Sequence, residues 1–86
     1  MRENFVEISA VRFVHNMRGA DVINIKASLE RCLQQCSGEH SCLAVAYDHI
    51  TGICSELSSM VRGMLIDMNW MYTDHYSTIF LKYNSK

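Results

Sequence analysis

The chain has 86 residues and a mass of 9.9 kDa, room for one small domain that buries only about 60% of its unfolded surface and needs staples to supplement its core. Its 49% hydrophobic and 20% charged residues belong to a folded chain rather than a disordered one. Eight Lys and Arg against nine Asp and Glu give a formal net charge of −1 with no run of like charges, which excludes the dense cationic footprint of a nucleic-acid binder, and no apolar run approaches the roughly 20 residues that span a bilayer.

Met1-Arg2-Glu3 opens no signal-peptide apolar region, so the chain is expected to be either cytosolic or a single domain, 1–86, excised from a larger one. There is no proline, and four glycines (Gly19, Gly38, Gly52, Gly63) leave no linker or repeat. Phe5 to Val14 is rich in Val, Ile and Phe and reads as a first strand. Asn16, Gly19 and Asp21 punctuate a turn, and Val22 to Ile25 reads as a short second strand.

The next segment, ASLERCLQQC, places Leu29, Cys32, Leu33 and Cys36 at i, i+3, i+4 and i+7, which predicts a helix with one buried face. Ser28 is its expected N-cap, Glu30 complements the dipole in the first turn, and Ser37-Gly38 provides the stop. In CLAVAYD, period-two alternation sets Cys42, Ala44 and Ala46 against Leu43, Val45 and Tyr47. The narrow alanine face is expected to lie beneath the helix. His49 to Gly52 turns the chain and ICSEL returns as the partner strand of a hairpin.

Residues 58–76 read ambiguously. Met60, Met64 and Met68 have helical spacing, whereas Met64, Ile66, Met68, Trp70 and Tyr72 alternate; Gly63 tips the reading of 64–68 towards strand. The last run, STIFLKY, reads as a closing strand.

The spacing Cys32-x3-Cys36-x5-Cys42-x11-Cys54 permits three pairings. Cysteines at i and i+4 of a helix project side by side, so a bond between Cys32 and Cys36 would be strained. Both helical cysteines then reach the hairpin: Cys36 is a short loop from Cys42, and Cys32, a turn earlier, reaches Cys54. With Cys42 and Cys54 on one sheet face, residues opposed across the turn must sum to an even number, which calls for a three- or five-residue turn with Gly52 at positive φ.

The stretch from Ser28 to Leu57, SLERCLQQCSGEHSCLAVAYDHITGICSEL, resembles the core of the PAN/apple domain family. In that family a helix bearing C-x3-C is pinned by two disulfides to a hairpin reading roughly C-x-A-x-x-Y, followed by a strand with the fourth cysteine. Ala44, Tyr47 and Thr51-Gly52-Ile53-Cys54 match. The resemblance implies the pairing Cys32–Cys54 and Cys36–Cys42. Many apple domains also tie their termini with a further disulfide, for which this chain has no cysteine, so it resembles the smaller four-cysteine PAN type.

The rival reading of the four cysteines is a zinc site in an intracellular adaptor domain, with His40 or His49 as an alternative ligand, although close C-x2-C knuckles are missing. A reactive thiol has less support: there is no C-x-x-C and no Gly-rich anion loop. The four histidines are scattered, and neither Asp48-His49 nor Asp74-His75 is assigned acid/base chemistry. No catalytic residue, metal ligand or cofactor is expected. Four of the six methionines fall between Met60 and Met71; they are read as core filling, with Met68, Trp70, Met71 and Tyr72 as a contact surface for another protein.

The expected fold is α+β, an antiparallel sheet of four or five strands with one helix packed across it and pinned by two disulfides. The resemblance implies a non-enzymatic extracellular module that binds protein or carbohydrate within an adhesion, matrix, receptor or protease-associated protein. Protein partners are favoured over carbohydrate, because the cations are spread along the chain. Neither nucleic acid nor membrane insertion is expected. Self-association is expected at an edge strand around Ile79 to Leu81.

Overall fold

The computed structural model describes residues 2–13, 21–59 and 71–82. A single 3-10 turn, Arg2–Asn4, leads into β1 (Phe5–Phe13), followed by β2 (Asp21–Lys26), α1 (Leu29–Ser37), β3 (Ala44–Asp48), β4 (Ile53–Ser59) and β5 (Met71–Lys82). The strands form one antiparallel sheet in the order β1-β5-β3-β4-β2. The α+β architecture read from the sequence is therefore the one observed, with five strands and one α-helix among the described residues. The expected strand at 64–68 lies outside the described residues.

Helix α1 begins and ends where its sequence directs. The Ser28 side chain accepts from the Arg31 backbone N–H at 3.2 Å, and the N–H groups of Gly38 and Glu39 close the last turn onto the carbonyls of Gln34 and Cys36 respectively. Its buried face is Cys32, Leu33 and Cys36, with Leu29 packed at the margin. The face rests on Val45, Cys54, Phe80 and Phe5, and the Phe5 and Phe80 rings meet edge to face at 6.5 Å. Arg2 closes this end, its guanidinium 5.5 Å from the Phe80 ring centroid and paired with Glu7.

Two disulfides fasten α1 to the sheet, Cys32–Cys54 with Cα atoms 6.5 Å apart and Cys36–Cys42 with Cα atoms 5.3 Å apart. All four sulfurs are thereby bonded in two pairs, which leaves no thiolate for a metal and argues against the zinc-adaptor alternative.

Pleat parity corrects the expected placement of the alanines. Val45 and Tyr47 belong with the core under α1, whereas Ala44 and Ala46 pack on the opposite face with Leu57, Ile79 and Phe13. The expectation failed because it treated Cys42 as a strand residue. β3 starts only at Ala44, and Cys42 sits in the preceding loop, its N–H bonded to the Glu39 carbonyl at 3.1 Å. Its sulfur turns to the helix free of the pleat.

The same error produced the even-sum rule for the hairpin. Tyr47 stands opposite Cys54 and Asp48 opposite Ile53, an odd sum, so the loop is the four residues His49 to Gly52. Gly52 does take a positive φ of 74°, as expected. The carboxylate Oδ1 of Asp48 accepts from the N–H groups of Ile50 (2.8 Å) and Thr51 (3.2 Å), fixing the turn.

Ile79 to Leu81 lies within the sheet and is paired on both sides, with Val6, Glu7 and Ile8 of β1 and with Ala44, Val45 and Ala46 of β3. The edges are β1 and β2. The expected edge run is thus corrected: its apolarity reflects burial on both faces, Ile79 and Phe80 being 0% and 1% exposed.

Glu56 departs from the apolar logic of the core. It stands opposite Val45 and Ile23, is only 7% exposed, and its Oε2 has no hydrogen-bond partner. Burial, reinforced by repulsion from Glu39, holds its carboxyl above the ordinary carboxylate range. A raised folded-state pKa means that stability is greatest below the ordinary carboxylate pKa and falls as pH rises towards the raised one. Glu56→Gln is expected to raise Tm at neutral pH by roughly 2–5 °C for a domain of this size. The gain should vanish at about pH 3.5, where the native carboxyl is already neutral. Thermal melts by circular dichroism at the two pH values check this, and equal gains at both would refute it.

Candidate functional site

On the face turned away from α1, two cross-strand rows lie side by side. Asn24, Ser55 and Ala46 form one, and Ile53, Asp48 and Ser77 the other. Three of these side chains, Ala46, Ser55 and Ser77, are small and buried, so the sheet surface is low there. Longer side chains rise around it, from Arg12, Asn24, Asp48 and Thr51, and the hollow between them has a volume of about 280 Å³.

An irregularity in the β1–β5 ladder delivers one wall. Between the pairs Ser9–Thr78 and Val11–Thr73, only Ala10 of β1 faces four residues of β5, Asp74 to Ser77. Ala10 takes a φ of 63°, in the left-handed region. Within the bulge, Asp74 accepts from the Tyr76 N–H at 3.0 Å and from Arg12 Nη1 at 3.4 Å. The Tyr76 N–H above all, with Arg12 and the Ser77 hydroxyl adding to it, holds the Asp74 carboxyl below the usual carboxylate range. Asp74 therefore stays ionised and keeps Arg12 over the hollow.

The remaining polar groups are partly committed. The Ser55 hydroxyl and Asn24 Oδ1 are hydrogen-bonded to each other, which leaves the Asn24 Nδ2 donors unspent. Both turn contacts of Asp48 fall on Oδ1, so Oδ2 retains its accepting capacity. Thr51 Oγ1 accepts from the Ile53 N–H at 3.3 Å. Donors and acceptors of both kinds thus surround one small hollow.

The two Asp-His neighbours diverge. While Asp48 caps its turn, His49 Nε2 reaches Thr78 Oγ1 at 2.9 Å, and its ring meets Tyr47 edge to face at 5.1 Å. Asp74 binds Arg12 rather than His75. Among the described residues no three His, Cys, Asp or Glu side chains converge as metal ligands, and no helix is long and apolar enough to cross a membrane.

Of the four residues read as a protein-contact surface, Met68 and Trp70 lie outside the described residues. Met71 stands opposite Phe13 and packs half-buried against the second core with Leu57 and Ile79. Tyr72, opposite Arg12, is 36% exposed. The sequence reading missed the hollow. Its signal was the succession of small residues in β3 and β4, but only the strand register shows which of them become neighbours.

Comparison with curated proteins finds no match. The family model described as PAN domain matches residues 5–76, the span that holds both disulfides and the first half of the closing strand. The helix clamped to a cysteine-bearing hairpin, within a sheet closed by the first and last strands, places this chain in the PAN domain family.

Proposed function

We propose that the chain is a non-enzymatic interaction module of an extracellular protein, one domain over residues 1–86 that binds protein or carbohydrate on behalf of a larger adhesion, matrix, receptor or protease-associated chain. PAN domains are protein- and carbohydrate-binding modules. The observation that carries the extracellular assignment is the use of all four cysteines in two helix-to-hairpin bridges. Such bonds persist in oxidising compartments, where small domains with limited cores depend on them. For a protein partner, the exposed Tyr72 supports a contact surface running through Met68, Trp70, Met71 and Tyr72.

The test is surface plasmon resonance of the oxidised chain against arrays of extracellular proteins and of glycans. Saturable binding to a member of either class, abolished when the bridges are reduced, is the expected result. Binding to neither class would overturn the proposal, as would free thiols in the protein taken from its native compartment.

A further inference from the structure

We infer that the hollow on the helix-free face is a saccharide site that takes a single neutral pyranose unit; this rests on the interaction-module reading and names one ligand class for it. Size is the first argument. A cavity of about 280 Å³ is too small for a folded partner's loop and close to the lower end of small-ligand pockets, roughly 300 Å³.

Charge is the second. Arg12 is offset by Asp74 at 3.4 Å, and Asp48 adds a carboxylate whose Oδ2 is unspent. An anionic ligand would meet Asp48 after finding Arg12 already neutralised, and an ammonium, having no acceptor, would leave the Arg12 and Asn24 donors unmet. A neutral polyol meets neither penalty.

Chemistry is the third. A pyranose presents adjacent hydroxyls, each both donor and acceptor, and planar groups that bridge two of them are the natural complement. Here the planar groups are the Arg12 guanidinium, the Asn24 amide and the Asp48 carboxylate, arranged around a floor of Ala46, Ser55 and Ser77 that lets a ring approach the sheet. Each is held before any ligand arrives, Arg12 by Asp74, Asn24 by Ser55 and Asp48 by its turn, which limits the ordering cost of binding.

The test is a titration of the oxidised, isotope-labelled chain, followed through its backbone amides by NMR. Glucose, galactose, mannose and N-acetylglucosamine are added separately, with N-acetyl-lysine methylamide as the cationic probe and acetate as the anionic one. At least one pyranose should shift the amides of Asn24, Asp48, Thr51 and Ser55 saturably, with a Kd on the order of 1–10 mM, as a ligand of about twelve heavy atoms achieves at ordinary efficiency. Asn24→Ala, on an exposed edge strand, should weaken that binding about tenfold while the chain stays folded, its Tm lowered only by loss of the Ser55 hydrogen bond, and Thr51→Ala serves as the second variant. Pyranose shifts that avoid these four amides, shifts caused by the lysine or acetate probe instead, or no shift at all would each overturn the inference. Protein binding by the same preparation would leave the module reading standing, so the two failures are separable.

Discussion

Replacing Cys32 and Cys54 together by alanine is expected to lower stability by roughly 3 kcal/mol and to leave the domain largely unfolded at body temperature. The bond closes a ring with a sequence separation of 22 residues, and opening it restores that freedom to the unfolded chain. Such a loss is a large fraction of what a domain this small possesses. Alanine is the proper probe, because serine would leave hydroxyls at two sites that are 0% exposed and add a desolvation penalty. Cys36→Ala with Cys42→Ala opens a ring of separation 6 and should cost less, about 2 kcal/mol. Urea denaturation of the two double variants checks the order, which would be reversed if loop length were not the governing factor.

Phe80→Ala is expected to cost about 3–5 kcal/mol, the range for a large aromatic removed from a packed core. Phe80 is 1% exposed at the centre of the helix-side core, with Phe5 at its edge and Arg2 above it. No neighbour can collapse into the space, since α1 is held in place by both disulfides. Val6→Ala supplies the contrast: Val6 lies on the edge strand β1 and is 39% exposed, so its truncation should cost under about 1 kcal/mol. A fall in the urea midpoint for Phe80→Ala at unchanged slope, with Val6→Ala close to wild type, is the expected pattern. Similar midpoints for both variants would show that the helix-side core is not where stability resides.

What could be read from the sequence was local. Helix α1, its Ser28 cap and its cysteine face follow from spacing over a single turn, and the pairing follows because Cys32 and Cys36 share that face. The short β2, resting on Val22 to Ile25, was equally local. Readings failed where they needed a register. Placing Ala44 and Ala46 beneath the helix assumed that Cys42 obeyed the strand alternation two residues before the strand begins. Ile79 to Leu81 looked like an edge because an apolar run does not reveal whether one neighbour or two pairs with it. β5 begins at Met71, six residues before the expected STIFLKY run. Its first half contains Asp74, His75 and Tyr76, whose polarity belongs to the bulge opposite Ala10.

The hollow was illegible for a related reason. Arg12, Asn24, Asp48 and Ser77 come from four strands and are unremarkable one at a time. Arg12 read as one of several scattered cations, and it acquires a role only because the β5 bulge sets Asp74 beside it. A site assembled from rows across a sheet leaves no motif along the chain.

The disulfide framework underlies the fold and carries the proposed compartment and function, and one experiment addresses it directly. Intact mass of the natively purified chain is measured after alkylation under denaturing, non-reducing conditions, followed by a peptide map. The expected result is no alkylation, a mass four hydrogens below the reduced value, and linked peptides carrying Cys32–Cys54 and Cys36–Cys42. Four alkylated thiols, or a map linking Cys32 to Cys36, would contradict it.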